Sequence, residues 1–315
     1  FVAQVQGIER LRHLMLLTAV DIRAVGPGTW NSWKGQLLGE LYDAAEERLR
    51  LGHMSHGRKE RVAAKKEAVR TKLGDKAGLL KLYADRFDDS YWIAEPEDII
   101  ALNLMHYGLS HEEKDNLSVH CEVYPSRGAT LVTVIAADHP GLFSRIAGGI
   151  HLAGGNIIDA RIHTTRSGWA VDNFLVQDPH GRPFGEDAQI RRLEVSIADA
   201  LANRSALVPQ LAKRPLPHSR ARAFDVRPVV SFDNQASGRF TVIEVNARDR
   251  AALLNRLARA LFENSLVVHS AHITNYGERA ADTFYVTDLT GGKVTGATRL
   301  KAIEAALLEA ASDER

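Results

Sequence analysis

The sequence has little cysteine, no long apolar run and almost no net charge, and each absence excludes a class of protein. Cys121 is the one cysteine among 315 residues, so no internal disulfide can form and a reducing, cytoplasmic location is expected. No stretch of about 18 apolar residues is present, which argues against a membrane span. The formal net charge is +1, so we expect neither nucleic acid nor a membrane surface as a partner.

Catalytic signatures are also missing. The sequence contains no phosphate-binding loop, no Gly-x-Gly-x-x-Gly, no Gly-Ser followed by paired aspartates on a strand, and no defensible Ser/His/Asp set. We therefore predict no catalytic residue in this chain. Because the chain starts at Phe1 inside a helical pattern, we expect it to be a piece of a longer protein.

The hydrophobic pattern divides the chain into a helical part and a mixed part. Apolar residues recur at helical spacing over 8–20 and 30–51, and further helices are predicted over 55–73, 77–87 and 96–107. Near residue 118 the pattern changes, and apolar residues recur at every second position. Strands are then predicted over 118–124, 130–136, 157–165 and 170–177, with helices over 142–152 and 187–201.

The mixed pattern occurs twice. Asp138 matches Asp249 at an offset of 111 residues, and Phe174 matches Phe284 at an offset of 110. Both copies follow the order strand, strand, helix, strand, strand, helix, so we interpret them as a true internal repeat. Each copy predicts a permuted ferredoxin-like sheet with two helices on one face, and the open sheet edges favour side-by-side docking of the copies.

The predicted fold class is therefore α+β, with a helical region followed by two tandem ferredoxin-like βαββα units. The predicted domains are a helical region at 1–115, repeat one at 116–202, a proline-containing basic linker at 203–225, and repeat two at 226–315.

Three motifs in repeat one carry a resemblance to a known module. They are 138–142 (DHPGL), 154–157 (GGNI) and 172–174 (DNF). On a βαββα unit they resemble the ACT domain, a regulatory module that binds amino acids. The helix N-terminus that Pro140 and Gly141 open would suit an amino-acid carboxylate. Taken alone, the first motif favours a simple helix N-cap with a turn.

The resemblance predicts a ligand site at repeat one. The expected ligand-binding residues are Asp138, His139, Pro140, Gly141, Leu142, Gly155, Asn156 and Asp249, with Asp138 or Asn156 meeting the ammonium or amide of the ligand. In repeat two Pro140-Gly141 becomes Arg250-Ala251, and Gly155-Asn156 becomes Leu266-Val267. Repeat two is therefore expected to act as a docking partner that contributes from across an interface.

The helical region carries a second resemblance. The stretch 16–34 (LLTAVDIRAVGPGTWNSWK) is similar to the end of the HD phosphohydrolase domain of the bifunctional PII uridylyltransferase/uridylyl-removing enzymes, which also carry two ACT domains after it. The resemblance places Asp21 on the last metal-ligand aspartate of the HD motif, with the other ligands upstream of Phe1. The alternative is a helix-terminal aspartate paired with Arg23.

The resemblance implies that the chain is the C-terminal regulatory part of a glutamine-sensing enzyme. The whole enzyme would add UMP from UTP to the PII nitrogen-regulatory protein and remove it, using Mg²⁺ or Mn²⁺. This chain alone would be inactive and would bind an amino acid. Two alternatives stay open, namely a stand-alone ACT-type regulator without catalysis and an alarmone synthetase/hydrolase with HD and ACT domains.

Overall fold

The fold is described from a computed structural model. It describes residues 1–5, 7–24, 38–39, 41–42, 45–46, 58–112, 117–139, 141–202, 226–250, 252–276 and 279–312. The chain divides into two compact bodies, residues 1–61 and 62–315, and each is described by itself.

The first body contains helix α1 (Val2–Val5) and helix α2 (Ile8–Ala24). Leu11 of α2 is buried in a small cluster with Val5 and Ala45, against which Tyr42 packs. The helix predicted over 8–20 is thus present. Most of the helix predicted over 30–51, with Trp30 and Trp33, lies outside the described residues, as does the predicted linker at 203–225.

Short helices precede the sheet. They are α3 (Arg58–Leu73), which begins at the end of the first body, α4 (Gly78–Tyr83), α5 (Asp89–Ala94) and α6 (Glu97–Glu112). Helix α5 was not expected, because six residues are too few to show a period. Its N-cap is Asp88, whose carboxylate accepts hydrogen bonds from the backbone N–H groups of Ser90 and Tyr91, both at 3.1 Å.

Both repeats have the predicted order of elements. In repeat one these are β1 (Leu117–Tyr124), β2 (Ala129–Ala137), α7 (Leu142–Ala153), β3 (Asn156–Arg161), β4 (Trp169–Gln177) and α8 (Asp187–Leu201). In repeat two they are β5 (Val229–Asp233), β6 (Thr241–Arg248), α9 (Leu253–Glu263), β7 (Leu266–Tyr276), β8 (Arg279–Asp288) and α10 (Ala297–Ala311).

The strands form one antiparallel sheet across both repeats, in the order β1-β2-β4-β3-β7-β8-β6-β5. Strand β1 pairs with β2, and β5 with β6, so a hairpin fills the edge position of each unit as predicted. The predicted α+β fold class with two βαββα units is confirmed. The domain boundaries stay predictions.

The two repeats are related by an approximate twofold axis. Strands β3 and β7 pair in antiparallel fashion with Ala160 opposite Ala271, and these residues are equivalent at the offset of 111. Asn255 Nδ2 donates to the carbonyl oxygen of Ser144 at 2.6 Å, again an equivalent pair. When equivalent residues face each other, the same surface is used on both partners, as in a symmetric dimer.

The four helices of the repeats cover one face of the sheet. Val132 and Val134 of β2 join a core with residues of α7, α8, α9 and α10. The alternate residues Leu131 and Ile135 point to the other face, where α3–α6 pack. Burial on both faces explains why β2 is a continuous apolar run rather than an alternating one.

A buried polar network joins α5 to the outer face of repeat one. Glu95 is 1% exposed, and its Oε1 lies 2.8 Å from His163 Nε2 and accepts from Asn173 Nδ2 at 3.0 Å. The Arg161 guanidinium lies 3.6 Å from the other oxygen of Glu95. Thr133 donates to Asn173 Oδ1 at 3.0 Å. Because the buried carboxyl group of Glu95 needs these partners, the network fixes the position of α5 on the sheet.

Candidate functional site

The loop of repeat one lies between β2 and α7. Asp138 Oδ2 accepts a hydrogen bond from Thr164 Oγ1 at 2.7 Å, and its backbone N–H donates to Gly168 O at 2.9 Å. Gly141 precedes the helix with a φ of 83°, a left-handed conformation that glycine adopts without strain. Asp138 and His139 are exposed and Leu142 is buried. Pro140 lies outside the described residues.

The turn between α7 and β3 carries Gly155 and Asn156. A Cβ on Gly155 would lie 2.6 Å from Ile150 Cγ2 and 2.7 Å from Val176 Cγ1, so this position requires glycine for packing. Asn156 is exposed at the first position of β3. Of these two predicted ligand residues, Asn156 presents a side chain, and Gly155 lets the turn pack closely.

The loop of repeat two lies between β6 and α9. Ala252 has a φ of 59° and is the residue before the helix, so the structure aligns Gly141 with Ala252. The sequence alignment of Pro140-Gly141 with Arg250-Ala251 was wrong by one residue, because it departed from the offset of 111 that relates Asp138 to Asp249. Ala251 lies outside the described residues. Arg250 donates from its guanidinium to the carbonyl oxygen of Ala310 at 2.5 Å.

A cavity of about 50 Å³ opens where the turn of repeat one meets the loop of repeat two. We call it cleft A. Repeat one contributes polar residues from α7 and the following turn, namely His151, Gly155 and Asn156. Repeat two contributes ionisable residues from its loop and from β8, namely Asp249, Arg250 and Asp282. The first helical residues of α9 also line cleft A, and the N–H groups of a first helical turn have no partner within the helix.

Cleft A brings together only part of the predicted site. Gly155, Asn156 and Asp249 line it, whereas Asp138, His139, Gly141 and Leu142 do not. The twofold-related position, which we call cleft B, is where the loop of repeat one meets Phe262. A Cβ on Gly141 would lie 3.6 Å from the Phe262 ring. The preference for a site at repeat one stays a prediction, and the geometry favours the loop of repeat two.

Replacement of three wall residues distinguishes the clefts. At the offset of 111, His151, Gly155 and Asn156 of cleft A correspond to Phe262, Leu266 and Val267. In cleft A, His151 and Asn156 can donate and accept hydrogen bonds, and Gly155 has no side chain to occupy the cavity. The second set is apolar. A polar ligand therefore finds partners on the wall of cleft A and finds none in the side chains that correspond to them.

Asp282 is a site residue that the sequence did not predict. It is 1% exposed and lines cleft A, and its Oδ1 accepts no hydrogen bond from any described residue. Burial, and then the nearby charge of Asp249, raise the pKa of Asp282 well above its usual value. Burial also raises the pKa of Asp249. Cleft A thus holds two carboxyl groups that resist being charged together.

Asp172 is the equivalent of Asp282 in repeat one. It is fully buried on β4, and burial followed by the charge of Asp138 raises its pKa in the same way. The sequence contained a signal for both residues, since each is an aspartate inside an apolar strand and the repeat offset of 110 relates them.

Asp21 does not form a metal site with the other described residues. It is exposed in the last turn of α2, and no group of three or more His, Cys, Asp or Glu side chains in the described part of the chain is arranged to hold a metal ion. The donor set for Mg²⁺ or Mn²⁺ is therefore not present among these residues. No helix in the described ranges is long and apolar enough to cross a membrane.

The chain is similar in sequence to known proteins. Residues 130–183 match the ACT domain family. The whole chain is 73% identical to a bifunctional uridylyltransferase/uridylyl-removing enzyme of Erythrobacter litoralis, 68% to one of Novosphingobium aromaticivorans, and 46% to one of Zymomonas mobilis. In each case the chain spans 34% of the length of the relative.

Proposed function

We propose that this chain is the regulatory segment of a bifunctional uridylyltransferase/uridylyl-removing enzyme and that its two repeats are a pair of ACT domains that bind glutamine in cleft A. Identity of 73% over all 315 residues supports the parent enzyme. The ACT match over 130–183 and the pairing of a second, equivalent unit through β3 and β7 support the regulatory role.

The geometry of cleft A carries the assignment of the ligand. Its wall combines His151 and Asn156 with Asp249 and Asp282, and such a wall suits a small polar molecule. The N-terminal N–H groups of α9 suit a carboxylate, because they carry the positive end of the helix dipole. The exposed amide of Asn156 can both donate to and accept from the side-chain amide of glutamine.

The whole enzyme would transfer UMP from UTP to PII and remove it again, with Mg²⁺ or Mn²⁺ neutralising phosphoryl charge when bound. Glutamine would change the balance of the two reactions by binding more tightly to one state of the enzyme than to another. This chain would supply the effector site and no catalytic group.

Calorimetric titration of L-glutamine into the 315-residue chain tests the proposal. We expect one molecule per chain, with binding weakened about tenfold or more by Asn156→Ala, which removes a hydrogen-bonding amide. Val267→Ala is the matched control, because Val267 is the equivalent residue in repeat two and should leave the affinity unchanged. No heat with glutamine, or equal affinities of both variants and the unmodified chain, would overturn the assignment.

A further inference from the structure

Two carboxyl groups of repeat two line cleft A from different elements. Asp249 comes from the loop before α9 and is half-buried. Asp282 comes from β8 and is 1% exposed, with an Oδ1 that accepts no hydrogen bond from the described residues. An unsatisfied carboxyl oxygen at the wall of a cavity is costly unless something in the cavity donates to it.

Two other titratable or charged groups line cleft A among the described residues. They are His151 from α7 and Arg250, which neighbours Asp249 in the chain. The guanidinium of Arg250 donates to the carbonyl of Ala310 at the end of α10. Strand β7 contributes the apolar Ile273, and β3 contributes Asn156 and Ile157. The two carboxyl groups therefore form an acidic end of the cleft.

We propose that Asp249 and Asp282 form the subsite for the ammonium group of the ligand, and that one proton leaves this carboxyl pair for solvent when the ammonium binds. The inference rests on the proposed function and deepens it, because it selects ligands with a free primary ammonium group. The ligand nitrogen keeps its three protons and donates them. The proton that is released is one that this pair of carboxyl groups holds while the cleft contains no cation.

The electrostatics of the pair explain the release. Burial raises the pKa of both groups, and the charge of Asp249 raises that of Asp282 further, so the empty cleft keeps a proton. A bound ammonium favours the charged form of both carboxyl groups. Binding therefore tightens as the pH rises, until the ammonium of the free ligand itself loses its proton.

Ligand binding in two buffers tests the inference. L-Glutamine is titrated into the 315-residue chain at neutral pH in phosphate, which has a small ionisation enthalpy, and in Tris, which has a large one. We expect about one proton to be released per glutamine bound. The observed binding enthalpies should then differ by about the difference between the ionisation enthalpies of the two buffers. Asp282→Asn keeps the shape of the side chain, and it should abolish this difference and weaken binding about 10- to 100-fold.

Asp172→Asn is the matched control, because Asp172 is the equivalent buried carboxyl group in repeat one and does not line cleft A. It should leave both the proton release and the affinity unchanged. Equal effects of the two variants, or no buffer dependence in the unmodified chain, would overturn the inference. Thermal unfolding of each variant identifies any loss that comes from failure to fold, and Asp282→Glu then provides a second variant that keeps the charge and should keep the proton release.

The amine-free analogue of glutamine, with a hydroxyl in place of the ammonium, separates this inference from the proposed function. Binding of glutamine without binding of the analogue supports both. Equal binding of the two refutes the ammonium subsite and leaves the glutamine site standing. If another L-amino acid binds in place of glutamine, the same buffers and variants are applied to it. If no L-amino acid binds, both proposals fail.

Discussion

Cleft A and cleft B occupy equivalent places on either side of one twofold axis, yet their walls differ in chemistry. Asp249, His151 and Asn156 line cleft A. At cleft B the ring of Phe262, which corresponds to His151, lies against Gly141, and Val267 corresponds to Asn156. Each cleft takes its loop from one repeat and its wall from the other. A mutation in one repeat therefore alters the site whose loop belongs to its neighbour.

This difference shows why motifs in one repeat are a poor guide to where a ligand binds. The glycine-containing loop of repeat one is the better match to the ACT pattern, but it faces the ring of Phe262. The loop of repeat two lacks the motif, and it lines cleft A together with the polar turn of repeat one.

Exchange of the two walls is expected to have the largest effect. His151→Phe with Asn156→Val gives cleft A the wall of cleft B, and we expect glutamine affinity to fall about 100-fold or more, since two polar partners are lost. The reciprocal variant, Phe262→His with Val267→Asn, should leave the affinity of cleft A unchanged. Calorimetry measures the glutamine affinity of both variants. A loss of affinity in the reciprocal variant alone would contradict the assignment of the site to cleft A.

The outer face of repeat one offers the next largest effect. Glu95→Ala removes the acceptor from Asn173 and His163 and leaves polar groups buried without it, so we expect the free energy of unfolding to fall by about 3 kcal/mol. Asp75→Ala, at an exposed position of the same helical segment, should change it by less than about 0.5 kcal/mol. Urea denaturation followed by circular dichroism measures both, and similar values for the two variants would contradict the account.

Gly155 is expected to be a packing residue more than a ligand residue. Gly155→Ala brings a Cβ into contact with Ile150 and Val176, and we expect a loss of about 2 kcal/mol of unfolding free energy. The control is Gly185→Ala, because a Cβ at Gly185 meets nothing within 4 Å. Denaturant unfolding measures the free energy of unfolding of both variants. Equal losses would show that the turn relaxes around the added Cβ, and would contradict the packing role of Gly155.

Asp172 and Asp282 should behave alike without ligand, and this is the smallest predicted effect. Both have raised pKa values because they are buried. As the pH rises from about 4, the unfolded chain loses these protons first, so the unmodified chain loses stability through that range up to the folded pKa. Asparagine at either position removes this loss, so the melting temperature of each variant should rise relative to that of the unmodified chain as the pH increases above about 4.

Asp288→Asn gives the opposite sign and is the control for that series. The hydrogen bond from Thr290, and then that from the backbone of Gly292, lower the pKa of Asp288, so its contribution to stability is present above the unfolded pKa and lost as the pH falls through the folded pKa. Thermal melts at several pH values compare the three variants. A common pH dependence for all three would show that burial does not control these carboxyl groups.

The sequence predicted most of the fold because its periods are clear. The change of period near residue 118 located the sheet, and the match of Asp138 to Asp249 revealed the repeat. Helix α5 was missed because six residues show no period, and the strand predicted over 157–165 ends at Arg161, where the chain leaves the ladder before the Thr164–Ala170 bridge.

The site was only partly predictable because it lies between the repeats. Asn156 and Asp249 were named from motifs, but their meeting depends on the pairing of β3 with β7, which no motif encodes. Asp282 lies inside an apolar strand, and only its burial beside the cavity shows its importance. Phe262 appeared as an ordinary apolar position of a helix, and the fold is needed to place its ring against Gly141.

A crystal structure of the 315-residue chain grown with L-glutamine tests the central claim most directly. We predict one glutamine molecule per chain in cleft A, with its ammonium nitrogen about 3 Å from carboxylate oxygens of Asp249 and Asp282 and its amide beside Asn156. Glutamine bound beside Asp138 in cleft B, with cleft A empty, would contradict the account.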